Sequence, residues 1–317
     1  MMTVALDKTD FAGRDFLTLA DYTKEELHYF IDQALTLKEM QKNHQDHQYL
    51  AGKTLALIFE KPSTRTRVSF EVGMFQLGGM AMFLGKDDVQ LSNGESIADT
   101  AQTLSRYVDG IMIRTFDHEN LIELANHATV PVINGLTDDF HPCQVLADFL
   151  TIVEKKGSLA GQKLVYIGDG NNMAHSLLFG SAIMGVDCTI VSPKGYEVAE
   201  DVLQRANKYA TKSGAHLVQT NDLLPAVKDA NIIYTDVWAS MGFEDEAEQR
   251  IKSFQPYQVN EQLMAQTADD CLFFHCLPAQ RGMEVTSEVL DGPKAAVFDQ
   301  AENRLHIQKA IMASLMK

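Results

Sequence analysis

Phe59-Glu60-Lys61-Pro62-Ser63-Thr64-Arg65-Thr66-Arg67 joins an apolar run, Thr54 to Phe59, to an amphipathic one, Val68 to Leu77. That succession predicts a buried strand turning directly into a helix. Pro62 ends the strand, and Ser63 is placed to cap the helix. The first-turn N–H groups of residues 64 to 66 then lack partners inside the helix, and they point the same way as the positive end of its dipole. Three hydroxyls and two guanidinium groups share that turn. Such a set of donors suits a phosphate dianion better than it suits a merely solvated helix start.

The same alternation extends on both sides. Upstream, Thr23-Lys24-Glu25-Glu26 fits a capping box, and Leu27, Phe30, Ile31, Ala34 and Leu35 follow at helical spacing to about Lys42. Downstream, strands are predicted near 80–84, at 110–114 and at 130–134, with helices at 95–107 and near 118–128. Beyond a helix from Pro142 to about Lys156, strands are predicted at 163–168, 187–192, 216–219, 231–235, 271–275 and 295–298. Helices are predicted near 172–184, 197–212, 222–228, 245–253, 260–266 and 301–316. Apolar strands alternating with helices imply an α/β protein of parallel sheets covered on both faces, with sites beyond the carboxyl ends of the strands. Arg114 stands at one such end.

A chain of 317 residues favours two domains of roughly 150 residues each. The expected division is 1–146, with the last helix (301–317) folding back onto it, and 147–300. Hydrophobic residues at 45% and charged residues at 22% fit a globular chain. The net charge of −16 disfavours nucleic acid and anionic membranes as partners, so an anionic small molecule must be captured by a local basic pocket. Cys143, Cys188, Cys271 and Cys276 have no metal-ligand spacing, and no apolar run approaches a membrane span. Free thiols in a reducing cytoplasm are expected.

Gly168-Asp169-Gly170-Asn171-Asn172-Met173 follows a predicted strand and opens a helix, which raises a nicotinamide-dinucleotide site as a rival. The match is poor. Met173 takes the third glycine position, and the next strand ends in Val191-Ser192-Pro193 rather than in an acidic residue. The turn is expected to aim Asn171 and Asn172 at a polar substrate.

Four stretches taken together resemble the carbamoyltransferases: Ser63-Thr64-Arg65-Thr66-Arg67, His141-Pro142-Cys143-Gln144, Asp236-Val237-Trp238-Ala239-Ser240-Met241-Gly242 and His275-Cys276-Leu277-Pro278. The Ser-Met-Gly stretch is similar to that of members acting on ornithine. The resemblance implies two doubly wound parallel-sheet domains joined by interdomain helices, the first for carbamoyl phosphate and the second for the amino acid. It also implies a cytoplasmic homotrimer with shared active sites, no cofactor and no metal, and a place in arginine metabolism, with biosynthesis expected.

By the same resemblance, Ser63, Thr64, Arg65 and Thr66 would hold the phosphate, and Gln90 would reach a neighbouring subunit's site. Arg114 and His141 would bind the carbonyl oxygen; Gln144, with the backbone oxygens of Cys276 and Leu277, would take the carbamoyl amide; Arg304 would be a further ligand. Pro142 and Cys143 belong to the same binding segment, although Cys143 stands where Thr or Leu is the familiar residue. Asn172, Asp236, Ser240 and Met241 would bind ornithine. Transfer needs a neutral amine, yet an amine of pKa ~10 is neutral in only about 1 molecule in 1,000 at pH 7. Cys276, oriented with Asp236, is therefore assigned to guide the amine proton, with the departing phosphate as the alternative acceptor.

Overall fold

A computed structural model describes residues 11–90, 94–239 and 244–317. The chain forms two compact units. The first contains the described residues up to Leu17, Asp21–Leu136 and Leu305–Lys317; the second contains Thr18–Ala20 and Thr137–Arg304.

In the first unit the elements run α1 (Lys24–Lys42), β1 (Thr54–Phe59), α2 (Thr64–Gln76), β2 (Met80–Gly85), α3 (Ile97–Leu104), β3 (Gly110–Arg114), α4 (His118–His127) and β4 (Val132–Leu136). The predicted capping box starts α1: Thr23 Oγ1 accepts from the Glu26 N–H at 3.3 Å, and Glu26 Oε2 accepts from the Thr23 N–H at 2.8 Å. The strands are parallel in the order β2-β1-β3-β4. Leu55, Ala56, Leu57 and Ile58 of β1 are fully buried, as a central strand covered on both faces requires. The α3 helix is shorter than predicted; it starts later because Ser96 caps it, its Oγ accepting from the Asp99 N–H at 3.0 Å, and it ends at Leu104.

The second unit runs α5 (Pro142–Lys156), β5 (Lys163–Ile167), α6 (Asn172–Met184), β6 (Asp187–Val191), α7 (Glu200–Ser213), β7 (Leu217–Thr220), α8 (Leu223–Val227), β8 (Ile232–Thr235), α9 (Ala247–Phe254), α10 (Glu261–Met264), β9 (Leu272–His275) and α11 (Ser287–Leu290). Helix α12 (Val297–Leu315) begins in this unit, and its residues from Leu305 onward belong to the first. The sheet is parallel in the order β7-β6-β5-β8-β9. Both sheets are therefore doubly wound. In each, successive strands leave a central strand in opposite directions, which opens a crevice between β1 and β3 in one unit and between β5 and β8 in the other.

Residues 295–298 are a correction. Ala295 makes one parallel bridge to Phe273 and no strand forms, because Val297 already begins α12. The short helix α11 was not anticipated; Thr286 caps it, its Oγ1 accepting from the Val289 N–H at 3.4 Å. Among the described residues no helix is long and apolar enough to cross a membrane.

Candidate active site

In the first unit the turn after β1 adopts the geometry its sequence predicts. Ser63 is the N-cap of α2, with its Oγ accepting from the Thr66 N–H at 3.2 Å, and its hydroxyl also lies 3.1 Å from Thr66 Oγ1. Parallel pairing sets Phe59 opposite Arg114, and the Glu60 N–H donates to the Arg114 carbonyl at 2.9 Å. The capped helix start and the strand-end arginine thus flank the β1/β3 crevice. Arg114 is buried, as is Thr66; Ser63 and Arg65 are half-buried, and Thr64 is exposed.

The two guanidinium groups of the turn have different fates. Arg67 pairs with Glu71 at 3.0 Å, one helical turn along, and stacks 3.8 Å from the Phe83 ring centroid. Arg65 makes no hydrogen bond, ion pair or ring contact with the described residues. One cation is spent on the helix surface and the other is uncommitted among the described residues. Gln90 lies exposed in the turn that follows β2.

In the second unit the strand ends bring together residues far apart in sequence. Asp236 follows β8 and Cys276 follows β9; the thiol donates to Asp236 Oδ1 at 3.1 Å, and the Val237 N–H donates to the same oxygen at 2.8 Å. Asp236 is buried, and Cys276 is the one cysteine of four that is not. Burial pushes the Cys143 and Cys188 thiols up to about 12, which keeps both protonated and inert. Leu277 has φ 59, in the left-handed region that a leucine enters only at a cost, and its N–H donates to His275 Nδ1 at 2.9 Å.

Asn171 and Asn172 divide their roles. Asn171 is the N-cap of α6, its Oδ1 accepting from the Met173 and Ala174 N–H groups at 3.0 and 3.4 Å, so it is spent on the helix rather than on a substrate. The Asn172 side-chain amide donates to the Thr137 carbonyl at 2.6 Å and keeps a second hydrogen. His141 precedes Pro142 at the start of α5, and its backbone N–H donates to Ser176 Oγ at 2.7 Å. His141, Pro142, Cys143 and Gln144 are all buried. Gln144 Oε1 accepts from the buried Arg304 guanidinium at 2.8 Å. Ser240 and Met241 lie outside the described residues.

Two carboxylates make the end of this sheet electronegative. Asp169, after β5, pairs with Arg250 at 2.6 Å, and Arg250 also reaches Glu246 and the Trp238 carbonyl. Burial raises the Asp169 carboxyl above its ordinary range, against the pull of Arg250, and the charge of Asp236 adds to the rise. Burial likewise drives the Tyr166 phenol well up, and the charges of Asp236 and Asp169 push it further. An ammonium group would relieve this field.

Asp236, His275 and Cys276 offer ligand atoms within 4.8 Å of one another, yet their hydrogen bonds oppose a metal. His275 Nδ1 accepts from Leu277, so Nε2 carries the proton and donates to Glu284 at 3.1 Å. Neither ring nitrogen keeps a lone pair for a cation. A dinucleotide is excluded at the Gly168–Gly170 turn by packing. A Cβ at Gly170 would stand 2.4 Å from the Val198 nitrogen, and the Gly170 N–H already donates to the Tyr196 carbonyl at 2.8 Å. Protein backbone thus fills the approach that a pyrophosphate would need.

Several residues of this half escaped sequence reasoning: Asp148, Tyr234, Glu284 and Gln300 are buried polar groups in no motif. Only Asp148 and Tyr234 carry a mark in the sequence, their placement in the otherwise apolar runs Leu146-Ala147-Asp148-Phe149 and Ile232-Ile233-Tyr234.

Comparison with known proteins agrees with this geometry. Residues 14–154 match the family model for the aspartate/ornithine carbamoyltransferase carbamoyl-P binding domain, and residues 160–315 match that for the Asp/Orn binding domain. The chain is 60% identical over 304 residues to the ornithine carbamoyltransferase of Anoxybacillus flavithermus, covering 96% of this chain and 97% of that one. It is 56% identical to the anabolic ornithine carbamoyltransferase of Pyrococcus furiosus over 305 residues, covering 96% and 97%. The solved structure of ornithine carbamoyltransferase from Pyrococcus furiosus superposes with a TM-score of 0.94 at 55% identity, covering 97% of this chain and 98% of that one. With two parallel sheets, a capped anion turn in one and an electronegative strand end in the other, the chain belongs to the aspartate/ornithine carbamoyltransferase family.

Proposed function

We propose that this protein transfers the carbamoyl group of carbamoyl phosphate to the side-chain amine of L-ornithine, giving L-citrulline and phosphate, in the biosynthetic direction of arginine metabolism. The observation that carries it is the uncommitted Arg65 guanidinium at the first turn of α2, where Ser63 caps the helix. Carbamoyl phosphate binds there through Ser63, Thr64, Arg65 and Thr66, with the helix dipole and the guanidinium neutralising the departing dianion. Arg114 and His141 donate to the carbonyl oxygen as negative charge develops on it. Gln144 and the backbone oxygens of Cys276 and Leu277 accept from the carbamoyl amide, and Arg304 lies beside Gln144 as a further ligand.

Asp236 pairs with the α-ammonium group of ornithine, while Asn172 and the 240–241 backbone take the α-carboxylate. The δ-nitrogen loses a proton, guided by Cys276 and Asp236, and attacks the carbonyl carbon; the C–O bond to phosphate breaks, and phosphate leaves with that electron pair. The functional boundary of the carbamoyl phosphate part is assigned near residue 146, with 147–300 as the ornithine part.

The enzyme works as a cytoplasmic homotrimer. Support comes from the first unit, where β2 is an edge strand with Met80 and Met82 exposed, and α2 exposes Val68, Val72 and Phe75. An apolar edge of this kind favours a partner chain, and Gln90 follows the same strand. Mixing Gln90→Ala with Cys276→Ala chains would restore activity in hybrids if sites are shared; failure to restore it would argue against sharing.

Citrulline formation from carbamoyl phosphate, with ornithine run beside putrescine, N-acetylornithine and aspartate, tests the reaction. Ornithine is expected to be preferred by at least about 100-fold, the order of two or three charge-assisted hydrogen bonds. Activity with another amine alone would overturn the ornithine assignments and keep those for phosphate.

A further inference from the structure

Asp148, on α5, is fully buried and is given no contact with substrate in the reaction proposed above. A carboxylate in such a place is expensive, and an apolar residue of similar volume would serve packing as well or better. What it does is accept. The side-chain amide nitrogens of Gln144 and Gln300 both donate to Asp148 Oδ1, each at 2.8 Å. The phenol of Tyr234, on β8, interacts with the same carboxylate.

A glutamine amide has a donor end and an acceptor end, and reversing it reverses what it offers. An ionised carboxylate only accepts, so it removes that choice. Because Gln144 turns its nitrogen to Asp148, its oxygen faces the Arg304 guanidinium at 2.8 Å. Because Gln300 turns its nitrogen to Asp148, its oxygen takes the His275 backbone N–H at 2.9 Å, one residue before Cys276. A single buried oxygen thereby sets two amides carried on different helices.

We propose that Asp148 is a positioning residue for the carbamoyl group: its Oδ1 locks Gln144 with the amide oxygen outward, ready to accept from the carbamoyl NH2, and steadies through Gln300 the strand end that presents the Cys276 and Leu277 carbonyls. The inference rests on carbamoyl transfer as the reaction. Gln144 on α5, Gln300 and Arg304 on α12, and Tyr234 on β8 are the polar groups that face Asp148. Burial outweighs these donors and brings the carboxyl up to about 7, so the group changes charge at neutral pH while its carbonyl-type oxygen still accepts from both amides.

Two experiments test the proposal. Steady-state kinetics of Asp148→Ala, Asp148→Asn, Gln144→Ala and the Asp148→Ala/Gln144→Ala double variant form a cycle. Asp148→Ala is expected to raise the carbamoyl phosphate KM at least tenfold while changing the ornithine KM less than twofold. Asp148→Asn, whose oxygen can still accept both amides, should stay within threefold of the parent. In the Gln144→Ala background Asp148→Ala should add clearly less than it costs alone, the remainder coming through Gln300. Independent, multiplicative losses, an equal rise in both KM values, or no loss in Asp148→Ala would each overturn it.

The second experiment needs no turnover and no alanine variant. Side-chain amide resonances of Gln144 and Gln300 in the intact protein are followed by NMR from pH 5.5 to 8.5, in the parent and in Asp148→Asn. Both should shift with one shared midpoint near 7 in the parent and stay flat in the variant. Separate midpoints, or shifts that persist in the variant, would sink the network. If the parent made no citrulline while the amides titrated together, the reaction assigned above would fall and the network would stand.

Discussion

The two binding halves solve opposite electrostatic problems with different materials. In the first unit the dianion of the proposed reaction would be met mostly by backbone and by short-range contacts: a helix start, the Ser63 cap three residues from Thr66, and Arg65, while Arg67 is taken by Glu71. In the second unit the cationic amino acid of the proposed reaction would be met by buried side chains. Asp236 is tied to Cys276 and Asp169 to Arg250, across separations of 40 and 81 residues. The lesson is that anion binding can be local and cheap, because unpaired N–H groups come with every helix, whereas a carboxylate facing a cleft must be held against its own desolvation.

The sharpest way to break that contrast is Arg65→Ala. With no second partner to compensate, kcat/KM for carbamoyl phosphate should fall roughly 1,000-fold and the ornithine KM should barely move; Arg65→Lys should recover only part, since an ammonium cannot grip phosphate bidentately. An equal loss for both substrates would mean the halves do not act separately. Next in size is Asp236→Asn, expected to raise the ornithine KM about 100-fold by removing a charge from a buried pair, with carbamoyl phosphate binding measured by calorimetry unchanged. A parallel loss of carbamoyl phosphate affinity would blur the division.

A smaller effect should follow Arg250→Lys. Lysine can keep one contact to Asp169 but not those to Glu246 and the Trp238 carbonyl as well, so ornithine turnover should fall less than tenfold and thermal stability should drop by about 1–3 kcal/mol. Smallest at neutral pH is a change in slope. The Asp148 carboxyl sits near 7 when folded, above its ordinary 3.8, so the folded chain holds a proton that the unfolded chain has released between those values. Its contribution therefore declines as pH rises from about 4 to 7, by roughly 4 kcal/mol at most. Denaturant midpoints of Asp148→Asn should lack that decline, and matching slopes in parent and variant would remove it from the account.

How far the sequence could be followed divides along the same line. Local rules sufficed for the first half, since strand, proline, cap and helix are neighbours in the chain and each has a short-range physical cause. The second half was legible only at its strand ends. Nothing near Asp148 announces that it will meet Gln300, 152 residues away, or that Arg304 will meet Gln144 across 160. Residues 295–298 mislead for a related reason: Ala-Ala-Val-Phe reads as a buried strand, but a single bridge to Phe273 satisfies the sheet and the helix takes the rest. The dinucleotide reading of the 168–170 turn already fails on Met173 and Ser192-Pro193, but the segment that closes the turn, Tyr196 to Val198, lies beyond the next strand and gives no local signal.

Arg65 carries a thermodynamic consequence of its own. If phosphate binds as proposed at Arg65, half-buried and without a counter-ion among the described residues, the folded chain hosts dianions better than the unfolded chain, and phosphate in solution would act as a folding ligand. At a concentration 100 times its dissociation constant it would add about 2.7 kcal/mol to the unfolding free energy. The same affinity would make the released product a competitor for the next substrate molecule, so an assay in phosphate buffer would record a sturdier protein and a slower one.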